Sequence, residues 1–178
     1  MKTIIALAFL VSSLLVGASA VAECTSNRNV NVIVTKPDNI YIDHGDGTVT
    51  DRETGLMWQK CPLGLSGNGC TTGVRQLLNW QDALAAANDN ADFGHSDWRL
   101  PNKNEMASLL EDACINPAIN QSVFPNTDFV IGPGGRHWTS SPRASVHNTA
   151  WTILFTDGFV SWDAKNTPLN VRLVRDSQ

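Results

Sequence analysis

The run Gly94-His95-Ser96-Asp97-Trp98-Arg99-Leu100-Pro101-Asn102-Lys103-Asn104-Glu105-Met106 decides how this chain folds, because one element ends and the next begins inside it. Asn102 stands three residues before Glu105, the spacing of a reciprocal helix cap, so a helix is predicted to start at about Lys103. Pro101 disfavours helical backbone at Leu100, and Trp98-Arg99-Leu100 should therefore arrive as an extended segment. Arg99 lies between two large apolar residues, which predicts that its guanidinium meets a partly buried carboxylate or backbone carbonyls.

Working outward from this run, Asn79-Trp80-Gln81-Asp82 repeats the cap spacing, and Trp80, Ala83, Leu84 and Ala87 fall on one helical face. A helix pair results, the second carrying Met106, Leu109 and Leu110 inward and stopping near Cys114. Before the pair, Ile40-Tyr41-Ile42, Thr48 to Asp51 and Leu56 to Gln59 are β-prone runs separated by Asp46-Gly47 and Thr54-Gly55 turns, which predicts an antiparallel meander. After it come His137 to Ser141, Ala150 to Phe155, Phe159 to Trp162 and Val171 to Arg175, with Asp157-Gly158 as a hairpin turn. Strands first, two helices in the middle and strands last make an α+β domain whose terminal strands can share one antiparallel sheet. Residues 115–136, rich in Asn, Pro and Gly, form a long ordered loop, the kind of segment that often meets ligands.

The chain has 178 residues, 42% apolar and 17% charged, enough for one domain with a substantial core. Residues 1–22 fall outside it: Lys2, the apolar run Ile4 to Val16 and Ala18-Ser19-Ala20 or Ala20-Val21-Ala22 have the pattern of a cleaved secretory leader. The apolar run is shorter than the roughly 20 residues a bilayer span needs, and Glu23 occupies the place of a small residue before a lipidated cysteine, so soluble export without stable membrane insertion is expected. Residues 23–39 alternate loosely through Val30, Val32 and Val34, as an extended arm or edge strand would, and residues 40–178 form the domain.

Cys24, Cys61, Cys70 and Cys114 survive leader removal, and an even count in an exported chain points to two disulfides in one of three pairings. Cys61 and Cys70 bracket a flexible loop that a local bridge would close, leaving Cys24 to tie the arm to Cys114. Redox or zinc chemistry lacks its C-x-x-C or Cys/His spacing. Loss of Lys2 leaves a net charge of about −5, the wrong sign for a nucleic-acid binder. Asp43, Asp46 and Asp51 raise the possibility of calcium, but Thr54 stands where an EF-hand loop has its bidentate Glu, so turn-forming aspartates are the better assignment and no cofactor is expected.

Gly47 to Asp51, Thr54 to Gln59, the Trp80 helix, Ser96 to Pro101, Trp138 to Pro142 and Val171 to Arg175 occur in the order seen in the family of the C-terminal domain of the Legionella collagen-like protein, which this chain resembles from about Ile40 to Arg175. The resemblance implies a C-type lectin-like fold, in which sheet and helices are scaffold and long loops form the binding face. It makes Trp58, Trp98, Arg99, Pro101, Trp138 and Arg172 structural motif residues. It also implies recognition or adhesion, with a glycan or an envelope protein as partner. The Glu-Pro-Asn, Gln-Pro-Asp and Trp-Asn-Asp triplets of calcium-dependent sugar sites are missing from the sequence. Of six tryptophans, Trp162 is the candidate surface aromatic. Arg136, His137, Arg143, His147 and Lys165 are the candidate basic patch for a carboxylate or sulfate group. Catalysis has no nucleophile elbow or acid–base pair to build on, so no enzyme activity is expected, and an accessory subunit of a pilus or surface complex is the alternative function.

Overall fold

The computed structural model describes Cys24 and residues 27–128 and 135–177; the expected leader and the Gly132-Pro133-Gly134 stretch lie outside the described residues. In chain order the elements are β1 (Asn27–Arg28), β2 (Tyr41–Asp43), β3 (Thr48–Asp51), β4 (Leu56–Gln59), β5 (Leu65–Ser66), β6 (Thr72–Gly73), β7 (Leu77–Leu78), α1 (Trp80–Asn88), α2 (Lys103–Ala107), β8 (Cys114–Ile115), β9 (Arg136–Pro142), β10 (Thr149–Leu154), β11 (Phe159–Ala164), β12 (Leu169–Asn170) and β13 (Val174–Asp176). The α+β class follows directly, with mostly antiparallel pairing around two helices.

The predicted meander forms: β2 pairs β3 and β3 pairs β4, both antiparallel. The C-terminal β13 then adds to β4, placing Val174 opposite Trp58, so the two ends of the domain do meet in one sheet of order β13-β4-β3-β2. A second sheet, of order β11-β10-β9-β12-β7, is built on the late hairpins; of the expected Val171 to Arg175 strand only Val174 and Arg175 pair, in β13, while Val171 to Leu173 cross from β12 of the second sheet to β13 of the first. Val171, Leu173 and Arg172 in the crossing are all fully buried, which is why that run looks uniformly apolar on both sides of its arginine.

Both helix caps form. The Asn79 side chain accepts from the Asp82 N–H, and Asn102 with Glu105 makes a complete capping box. Arg99 is held as its flanking residues suggested, by a two-pronged bond to Glu105 at 2.8 and 3.0 Å and a 2.8 Å bond to Asp176, while its backbone bridges Val174. Helix α1 packs Ala83 and Ala87 with Trp98, Trp138, Ala150, Leu169 and Leu173 on one side of the second sheet. On the other side Met106 and Leu109 join Ile153, Phe155, Trp58 and Val174 in the main core.

Three expectations are corrected. Helix α2 ends at Ala107 rather than near Cys114, because Glu111 N–H leaves the helical path to donate to the Ala118 carbonyl, and the Glu111 side chain is needed elsewhere. Buried Glu111 accepts from the N–H groups of Thr35, Lys36 and Ala113, fastening the N-terminal arm. Strand pairing does not run through Val30 to Val34: among the described residues of the arm only Asn27–Arg28 pairs as a strand, with β8, Val30 and Ile33 are exposed, and the Glu111 carboxylate fastens Thr35 and Lys36. The long loop after β8 turns inward: Ile119, Val123 and Phe124 belong to the main core, so its described part is scaffold and not a ligand-binding rim.

Both bridges of the favoured pairing are present, Cys24–Cys114 and Cys61–Cys70. The first secures the arm beside the Glu111 anchor, and the second closes the loop that carries β5, whose partner β6 follows just after Cys70.

Candidate functional site

Among the described residues, the sheet edge at β11 carries the most exposed aromatic side chains on regular structure. Phe159, Val160 and Trp162 are exposed there, Trp162 by 47%. Register places Trp162 opposite Trp151, and directly opposed residues of an antiparallel pair project from the same face. Ile153 and Val160 continue that face, which is core under β10 and open to solvent at β11.

Two cations complete a row. The Arg143 guanidinium, in the β9–β10 connection, lies 4.5 Å from the Trp162 ring centroid, and Lys103 Nζ at the start of α2 lies 5.0 Å from the Trp151 ring. Cation over ring is electrostatically favourable by about 0.5–1 kcal/mol where exposed. The arginine therefore braces the indole and leaves donors to spare. Lys103 is positioned by the capping box and by its own N–H, which donates to Ser141 Oγ of β9. The row Lys103, Trp151, Trp162, Arg143 thus draws on α2, β10, β11 and the β9–β10 connection.

Of the residues singled out from the sequence, Arg143 and Trp162 come together here. The others go elsewhere. His137 is a correction: it is fully buried on β9, edge-on to Phe155 at 5.0 Å, and unavailable to a ligand. Burial, then the Arg172 and Arg75 guanidiniums, hold its imidazole well below the usual histidine range, so it is neutral. Arg136 is engaged by Asp163 at 2.5 Å, and Asp163 also accepts from Thr152. Lys165 sits over Trp80 at 4.1 Å. His147 is exposed in the β9–β10 connection. The five basic residues do not form one patch, because strand alternation sends Arg136 and His137 to opposite faces.

Each of the three aspartates considered for calcium caps its own turn: Asp43 Oδ1 accepts from Gly45 N–H, Asp46 Oδ1 from Thr48 N–H and hydroxyl, and Asp51 Oδ1 from Glu53 N–H. Of the structural motif residues, Trp58, Trp98, Pro101, Trp138 and Arg172 lie inside, and Arg99 is partly exposed. Trp58, Trp98 and Trp138 are buried, with the Trp98 and Trp138 indoles donating to the Asp92 and Leu78 carbonyls, and the Pro101 carbonyl accepts from Ser140 N–H. Arg172 is completely buried against Phe124, donating to the Gln59 and Lys60 carbonyls and the Thr127 hydroxyl; burial pushes its pKa down to about 9, still charged at neutral pH. Trp151 and Lys103 were not singled out beforehand. The Trp151 signal was present in its distance of a tight hairpin from Trp162, but nothing local linked Lys103 to it.

Fold and surface together define a disulfide-bonded α+β domain with an aromatic, cation-braced sheet edge. The family model described as the Lcl C-terminal domain matches residues 47–175, and the chain belongs to that family. No curated protein matches the chain.

Proposed function

We propose that the protein is an exported recognition module that binds a glycan or cell-surface polymer at the Trp151–Trp162 edge, with Arg143 and Lys103 reaching polar or acidic groups of the ligand. The observation that carries this is the half-exposed Trp162 ring on β11, braced by the Arg143 guanidinium 4.5 Å from its centroid. A large rigid ring loses little conformational entropy on binding, and its face suits the C–H face of a pyranose. Export is supported by two disulfides, which persist in oxidising compartments, and among the described residues no helix is long and apolar enough to cross a membrane. The joining of the domain's ends in one sheet supports the C-type lectin-like expectation. Recognition in preference to catalysis is supported by the engagement of all four cysteines in bridges.

The second reading, an accessory subunit of an envelope assembly, is favoured by the position of β11 at the sheet edge, where unpaired backbone groups can accept a partner strand. A glycan array probed with the oxidised protein and with Trp162→Ala separates the two. Binding that falls at least about tenfold in the variant supports the glycan site. A blank array, with a discrete partner recovered from envelope extract, rejects it for the subunit.

A further inference from the structure

A cleft of about 360 Å³ opens between the β2–β3 turn and the disulfide-closed loop, sharing no residue with the Trp162 edge. Asp43, Asp46, Gly47, Lys60, Leu65 and Phe93 supply its main features. A smaller recess of about 230 Å³ adjoins it through Leu65 and Phe93 and adds Asp92.

Phe93 is the unusual member. The residue is 40% exposed, and its backbone has φ 58°, a left-handed conformation that few bulky residues adopt. The ring edge meets Trp98 at 6.3 Å and rests against Gly47 so closely that a Cβ there would stand 2.6 Å from it. Gly47, at φ 107°, is thus required both by the turn and by the ring. The opposite wall is equally fixed: Cys61–Cys70 closes the loop, and buried Arg172 grips the Gln59 and Lys60 carbonyls behind it. An aromatic held in strained backbone at the junction of two recesses is preorganised for contact.

Charge selects the ligand. Burial works against ionisation of Asp43, but the Lys60 hydrogen bond and the Gly45 N–H outweigh it and its pKa is lowered; Asp46 is likewise lowered despite burial by Thr48. Lys60 is the cation among the lining residues, and it is already bound to Asp43 at 2.5 Å. Asp46 uses Oδ1 for Thr48, and no hydrogen bond to its Oδ2 comes from the described residues. Asp92 uses Oδ2 for Asn90. Asp46 thus brings an unpaired carboxylate oxygen to the larger cleft and Asp92 a second carboxylate to the smaller recess, Phe93 lines both, and the remaining lining is largely apolar. A hydroxyl-rich amino sugar would find too few polar partners here, whereas an aliphatic stem with a terminal cation matches ring, wall and charge.

The geometry points to this cleft as a receptor for an arginine or lysine side chain of a partner polypeptide, its stem against Phe93 and Leu65 and its cation on Asp46. The probe is acetyl-Gly-Arg-Gly-amide, titrated into the full oxidised protein and followed by amide NMR, beside the same peptide with uncharged citrulline. Saturable shifts at Gly45, Gly47 and Asn68, with citrulline weaker by at least about tenfold, support the assignment. Asp46→Asn keeps a turn-forming side chain, and Phe93→Asn suits left-handed backbone; each should weaken binding about tenfold while the Trp58 and Trp138 indole signals stay in place. Equal binding of arginine and citrulline, no saturable cleft shifts at about 10 mM peptide, or parental affinity in both folded variants overturns it. Glucosamine moving the same amides at lower concentration than the peptide also overturns the polypeptide assignment.

Discussion

Replacing Glu111 by glutamine should loosen the N-terminal arm out of proportion to so small a change. The carboxylate has no solvent exposure, and its two oxygens take four donors: Oε1 accepts from Thr35 N–H at 3.0 Å, Thr35 Oγ1 at 3.3 Å and Ala113 N–H at 2.9 Å, and Oε2 from Lys36 N–H at 2.5 Å. Glutamine fills the same volume but has one acceptor, so its NH₂ must confront either the Lys36 N–H or the Thr35 and Ala113 donors. A hydrogen bond to a charged group contributes about 1.5–3 kcal/mol, and a buried donor left unpaired costs about 1–3 kcal/mol. Because these overlap for the same group, we expect a loss of about 3 kcal/mol in urea unfolding. For a domain of this size that corresponds to about 6–12 °C in Tm. Hydrogen exchange should accelerate first at Thr35 and Lys36, with Cys24–Cys114 still tethering the arm. A loss below about 1 kcal/mol, or unchanged protection of those two amides, would refute the anchoring role.

Two further outcomes follow from the core and the bridges. His137 is neutral when folded and free to take a proton when unfolded, so stability should fall with pH below about 6.5 by up to about 1.4 kcal/mol per unit, and His137→Leu should flatten that slope between about pH 6.5 and 5. An unchanged slope in urea midpoints across that range counts against a buried neutral imidazole. Serine replacement of Cys24 and Cys114, which close a separation of 90 residues, should cost up to about 4.6 kcal/mol, against about 2.7 kcal/mol for Cys61 and Cys70 at a separation of 9. Calorimetry giving the reverse order would show that loop-closure entropy of the unfolded chain does not set the relative size of the two effects.

Local features were legible wherever a residue acts on its near neighbours. Asn79 with Asp82, Asn102 with Glu105, and the glycine turns of the meander state their geometry within a few positions, so both helix starts and the β2–β3–β4 order could be read directly. Arg99 was legible for the same reason, since Glu105 is only six residues away. The end of α2 was not: Leu109, Leu110 and Glu111 continue a helical pattern, and the signal that breaks it is the arm 75 residues earlier, which takes the Glu111 carboxylate. The basic patch failed similarly. Five basic residues close in sequence were separated by strand alternation, by Asp163 for Arg136 and by Trp80 for Lys165.

By itself the sequence determined the α+β class, the helix caps, the turns and the motifs of the family, because these depend on backbone preference and side-chain reach over a few residues. Only the tertiary structure decided that Trp162 and Trp151 share an open face with Lys103 and Arg143, and that Phe93 lines both a cleft with Asp46 and a recess with Asp92. Both sites are assembled from distant segments, where register and burial choose a side chain's neighbours.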